Sequence, residues 1–185
     1  MRTSSVHQAA TRIAKELTNL EIPFAIAGGL AVGVHGHLRL TEDVGVLLNP
    51  EGLAQFKETW LGRGWVERTK GSRGMRDAVA NVNIDVLLSG DFPGDGKPKP
   101  VAFPDPALVA DRDSEPGYPV LRLATLIQLK LASGMTAAHR LKDLADVIEL
   151  VRANQLEQTY GDQLNPFVQA KFRELWTAAQ HQDDL

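Results

Sequence analysis

The chain has no cysteine, which excludes a disulfide framework, a thiolate zinc site, an iron–sulfur cluster and a cysteine nucleophile. It also has no cationic surplus. Its 20 basic residues are outnumbered by 23 acidic ones, for a net charge of −3, so a protein that coats nucleic acid through bulk charge is excluded. Long apolar runs are missing as well. The longest weakly polar stretch, Ala25 to Val34, spans ten residues and contains three glycines, whereas a membrane span needs roughly 20 apolar residues. Residues 1–20 lack the apolar centre of a signal peptide, so the expected setting is soluble and cytoplasmic, with no membrane partner. Aromatic residues make up only 6% of the chain, too few to interleave with its basic residues as a stacking platform for single strands.

What is present is an ordinary globular composition, 43% hydrophobic and 23% charged. Val6, Ala9, Ala10, Ile13, Leu17 and Leu20 recur at helical spacing and predict an amphipathic helix over 5–20. A short apolar strand, Phe24 to Ala27, then ends at Gly28-Gly29, and a helix follows over 30–34. Val44 to Leu48 reads as a strand stopped by Asn49-Pro50, and 51–61 reads as a helix. Strands are expected over 64–68 and 78–88, joined by a loop over 69–77. Seven of the ten prolines fall within 93–119, where regular structure should be scarce. Helices are expected over 123–133, 140–152 and 166–179. This order predicts an α/β (α+β) fold: an α/β core over 1–92, a proline-rich wrapping loop or junction over 93–122 and a helical region over 123–185.

The glycine pair stands at a strand-to-helix turn, where backbone N–H groups can receive a phosphate. The spacing 28, 29, 33, 36 fits neither Gly-x-Gly-x-x-Gly nor a Walker A loop, so by itself the pair reads as a tight turn. Two carboxylates give it more weight. Asp43 opens one strand and Asp85 sits within another, and a carboxylate in an apolar strand needs a partner or a metal. Strand-end aspartates that merely cap loops are the plainer alternative.

Several separated motifs between residues 22 and 150 together resemble the nucleotidyltransferase-fold superfamily, and the AbiEii-like toxins among its minimal members. They are Ala27-Gly28-Gly29-Leu30-Ala31, then Arg39-x-Thr41-x-Asp43-Val44, then Asp85, and finally Lys130 with Arg140-x-x-Asp143-x-x-Asp146. The resemblance implies a mixed-sheet core and transfer of a nucleoside monophosphate from a nucleoside triphosphate to a hydroxyl of an RNA, a protein or a small molecule. It implies Mg²⁺ or Mn²⁺ as cofactor, Asp43 and Asp85 as catalytic and metal-binding residues, and Gly28, Gly29, Arg39, Thr41, Lys130 and Arg140 at the nucleotide. An antitoxin-like partner is implied too.

One position departs from the pattern. Where the family carries its second metal aspartate this chain has Gly45. Positions i and i+2 of a strand share a face about 6.5 Å apart, so Asp43 loses the neighbour with which it would hold metal, and Glu42 points the other way. The alternative reading is therefore an impaired pseudoenzyme that binds nucleotide or a partner. Restoring an aspartate at 45 is expected to be nearly neutral for folding.

Weaker candidates have plainer readings. Asp143 and Asp146 read as a helical salt-bridge network with Arg140 and Lys142, and Lys130 reads equally well as a surface lysine. His35 and His37 suit a helix end better than a metal. The basic run Arg63, Arg68, Lys70, Arg73 and Arg76 reads as a solvated loop that could otherwise grip phosphates. Trp60, Trp65, Phe167, Phe172 and Trp176 are expected to fill cores.

Overall fold

The computed structural model describes residues 4–181. Helix α1 (Ser5–Asn19) starts where the Ser4 hydroxyl accepts the His7 N–H, and it buries Val6, Ala9, Ala10, Ile13, Ala14 and Leu17. Strand β1 (Ala25–Ala27) is fully buried and runs directly into α2 (Gly28–Val34). Next come β2 (Asp43–Leu48) and α3 (Pro50–Trp60), where Asn49 caps the helix and Pro50 occupies its first turn. Three strands that pair antiparallel in succession follow: β3 (Trp65–Glu67), β4 (Met75–Asp77) and β5 (Val82–Leu88).

Met75–Asp77 corrects the sequence reading, which left these residues in a loop and began the next strand at Ala78. Instead 78–81 is the turn, with Asn81 in the left-handed region at φ 57° and the buried Asp77 carboxylate accepting the N–H groups of Val79 and Ala80. The proline-rich stretch contains the short helix α4 (Pro106–Val109), β6 (Ala110–Asp111) and β7 (Val120–Leu121). β7 pairs in parallel with β1, so this stretch contributes to the sheet. Helices α5 (Leu123–Thr136), α6 (Leu141–Ala153) and α7 (Pro166–Gln180) complete the chain.

All seven strands form one mixed sheet in the order β3-β4-β5-β2-β1-β7-β6. Alternation sorts the two central strands. Val44, Val46 and Leu48 of β2, with Val82, Ile84 and Val86 of β5, form the apolar set on one face. Asp43, Gly45 and Leu47, with Asp85 and Leu87, belong to the opposite face. Trp65 and Phe172 are core residues, with Trp65 set edge-on to Phe56, while Trp60, Phe167 and Trp176 pack half-buried against the core. Among the described residues no helix is long and apolar enough to cross a membrane.

Candidate active site

Strand register brings the carboxylates together. β1 and β2 pair Ala27 with Gly45, and β2 and β5 pair Gly45 with Asp85 and Asp43 with Asn83. Gly45 is thus flanked by the glycine turn on one side and by Asp85 on the other, with Asp43 two residues along its own strand. Asp43 and Asp85 share a face, on neighbouring strands, close enough for each carboxyl to feel the other. Two carboxyl groups that close need a shared proton or a cation between them. Partial burial pushes the Asp85 carboxyl above its ordinary range, the neighbouring Asp43 carboxyl adds to this, and Arg68 and Arg140 oppose it. Thr41 steadies Asp43 by donating to its carbonyl at 3.3 Å and to its carboxylate at 3.4 Å.

These residues line a cleft of about 520 Å³ that also reaches Gly28, Gly29, Arg39, Lys130 and Arg140. Gly28 has φ +64°, a conformation that glycine adopts without strain. Gly29 is required for a different reason. A Cβ there would lie 2.7 Å from Thr41 Oγ1, 2.8 Å from Thr41 Cβ and 3.1 Å from Arg39 Nη1, so the 39–41 loop lies directly over the glycine turn.

The helical wall is a buried charge network. Lys130 is only 7% exposed, which overturns the surface-lysine alternative, and its Nζ stands 2.8 Å from Asp143 and 2.7 Å from Asp146. Asp143 also accepts from Ser133 Oγ at 2.7 Å and Arg140 Nε at 2.9 Å. Burial raises the Asp143 carboxyl, but Lys130, Ser133 and Arg140 together hold it below the ordinary carboxylate range. Asp146 is bound bidentately by Arg39, at 2.8 and 2.9 Å, so its partners are Arg39 and Lys130 and not Lys142. Arg39 therefore spends its guanidinium on a carboxylate and clasps the glycine-turn loop to α6.

Sequence reasoning missed three contributors. Arg68, assigned to a solvated loop, places Nη1 2.6 Å from Asp85 Oδ1. Of the same basic run, Arg73 pairs with Asp91 and Arg76 with Asn81. Lys142 and His139 line the cleft, and among the described residues Lys142 has no ion-pair partner. His35 instead reaches the Leu121 carbonyl and His37 faces Glu149, both away from the carboxylates.

Gly45 is closely approached by the neighbouring strand. A Cβ there would meet the Ala27 carbonyl carbon at 3.2 Å, and the Ala27 oxygen and Gly28 nitrogen at 3.3 Å. All three are backbone atoms, so a side chain at 45 is admitted only if the glycine turn gives by a few tenths of an ångström. Among the described residues no group of three or more His, Asp or Glu side chains is gathered as a metal cage. The donor set that remains, two adjacent hard carboxylates beside an open cleft, still suits one magnesium-like ion whose other ligands are phosphate oxygens and water.

No family profile matches the chain, and no curated protein matches it. Among solved structures it is similar to ANT(2″)-Ia, an aminoglycoside nucleotidyltransferase, crystallised in complex with adenylyl-2″-tobramycin. The TM-score is 0.58 over 91% of this chain and 97% of that one, at 13% identity. A likeness of that extent, at so low an identity, establishes the architecture and nothing finer: the chain has a nucleotidyltransferase fold.

Proposed function

We propose that the chain transfers a nucleoside monophosphate from a nucleoside triphosphate to an acceptor hydroxyl. The observation that carries this is the Asp43–Asp85 pair, on one sheet face beside the Gly28-Gly29 turn in an open cleft. Asp43 and Asp85 would hold a divalent cation, Mg²⁺ or Mn²⁺, which would neutralise charge on the triphosphate. Gly28, Gly29, Lys142 and the half-exposed Arg140 face the phosphates. Lys130 and Arg39 position α5, α6 and the glycine-turn loop around them. Asp85 takes the proton as the acceptor oxygen bonds to the α-phosphorus and the bond to pyrophosphate breaks. Membership among AbiEii-like toxins and an antitoxin-like partner belong to the same reading and rest on the motif order, while a cytoplasmic setting rests on the missing targeting pattern in the sequence.

The second reading, a pseudoenzyme that binds nucleotide without turnover, is favoured by Gly45 and by the Arg68 guanidinium on Asp85. The two separate in one assay. α-Labelled nucleoside triphosphates with Mg²⁺ or Mn²⁺ are offered total RNA, total protein and small hydroxyl compounds, tobramycin among them, with Asp85→Asn as control. Asp85-dependent labelling of an acceptor supports transfer. Saturable nucleotide binding with no labelling supports the pseudoenzyme.

A further inference from the structure

The cleft does not end at the carboxylates. It continues into an annex of about 270 Å³ walled by Leu87, Phe92, Phe103, Leu121, Leu126 and Leu129. Leu87 lines both spaces and is two residues beyond Asp85 on the same face, about 6.5 Å along the strand. An apolar cavity of about 150 Å³ already holds a benzene ring, so the annex has room for an aryl or short branched alkyl group.

Its mouth carries Lys130, Arg140 and His139, and its one acid there is Asp143. That carboxylate already accepts from Lys130, Ser133 and Arg140, which leaves no free anion to receive an ammonium group. A polycationic sugar would meet like charge there and unmet desolvation.

We propose that the annex is the acceptor site, and that the acceptor is an uncharged alcohol whose hydroxyl sits a few bonds from an aromatic or branched apolar group. With that group against Phe92, Phe103 and Leu129, the hydroxyl extends past Leu87 to Asp85. This rests on the transfer reading above and names its acceptor class.

The probe is 2-phenylethanol, measured by ligand-observed NMR on the full chain, with a glucosamine trimer as the polycationic comparison. Binding of 2-phenylethanol is expected, unaffected by Asp43→Asn or by saturating ATP with Mg²⁺, and weakened about tenfold in Phe92→Ala and in Phe103→Ala. Both phenylalanines are half-buried wall residues, and each variant's melting curve is compared with the parent's. Displacement by ATP would make the annex the nucleobase pocket and overturn the proposal. Unchanged binding in both folded variants overturns it too, as does tighter binding of the glucosamine trimer. Because Asp43→Asn removes the cation site and leaves the annex intact, loss of triphosphate binding in that variant tests the transfer reading on its own.

Discussion

Arg68 reaches Asp85 by lying across Gly74. Its Nη1 stands 2.6 Å from Asp85 Oδ1, and a Cβ on Gly74 would come within 3.0 Å of the Arg68 Cδ. The arginine stem thus has a track over β4 to the carboxylate that faces Gly45, the strand position without a carboxylate of its own.

A guanidinium and a divalent ion compete for that oxygen. Arg68→Gln is expected to tighten Mn²⁺ binding in the absence of nucleotide, read by electron paramagnetic resonance titration. Because both partners are half-exposed, the melting temperature should hardly move. Unchanged or weaker Mn²⁺ affinity would show that the ion does not use Asp85.

Gly45→Asp should lower stability and raise activity together. The new Cβ must push the Ala27–Gly28 backbone by a few tenths of an ångström, an overpacking cost of about 1–3 kcal/mol. Three neighbouring carboxylates add repulsion that Mg²⁺ relieves, so the melting temperature should fall in chelator and recover in part with the metal. Gly45→Ala isolates the steric share. Metal-dependent transfer should rise at least about a hundredfold, equal to about 2.7 kcal/mol of transition-state stabilisation. Transfer that stays at the parent's level would mean the second carboxylate is dispensable in this site.

The buried network gives a pH dependence. Because the Asp143 carboxyl is held below its ordinary value in the folded chain, its stabilisation is fully present above the unfolded value near 3.9 and is lost as pH falls through the folded one. Asp143→Asn should therefore flatten the acid limb of a melting-temperature profile below about pH 4. Lys130→Met strands two buried carboxylates and should cost about 3–5 kcal/mol in denaturant unfolding at neutral pH. A small loss there would mean that Arg39 and Arg140 suffice.

Gly29→Ala drives a methyl into Thr41, and a loss of about 1–3 kcal/mol is expected from the overpacking. Thr41→Ala in the same chain removes the colliding hydroxyl and should return part of that loss. Strict additivity in denaturant unfolding would place the two residues out of contact.

The elements that position the site were largely legible because their signals are local. Helical spacing marked α1, and strand alternation put Asp43 and Gly45 on one face. Met75–Asp77 escaped because three residues after Gly74 carry too little alternation to separate a strand from a turn. Of the charge network the local Arg140–Asp143 pair was legible, and the rest escaped for another reason. Arg39 and Asp146 are 107 residues apart, and Lys130 divides its ammonium between two aspartates of α6, choices that only the packed helices make. Arg68 was read as solvated because nothing in its hairpin announces that β4 lies between it and Asp85.

The Arg39–Asp146 clasp also orders events during synthesis. A nascent chain can pair β1, β2 and β5 as soon as residue 88 has left the ribosome, yet the loop over the glycine turn has no anchor until α6 has emerged and docked. The cleft is therefore walled only once α6 is in place. A chain released before residue 146 keeps both carboxylates and lacks the ion pair that ties the loop over the glycine turn to α6.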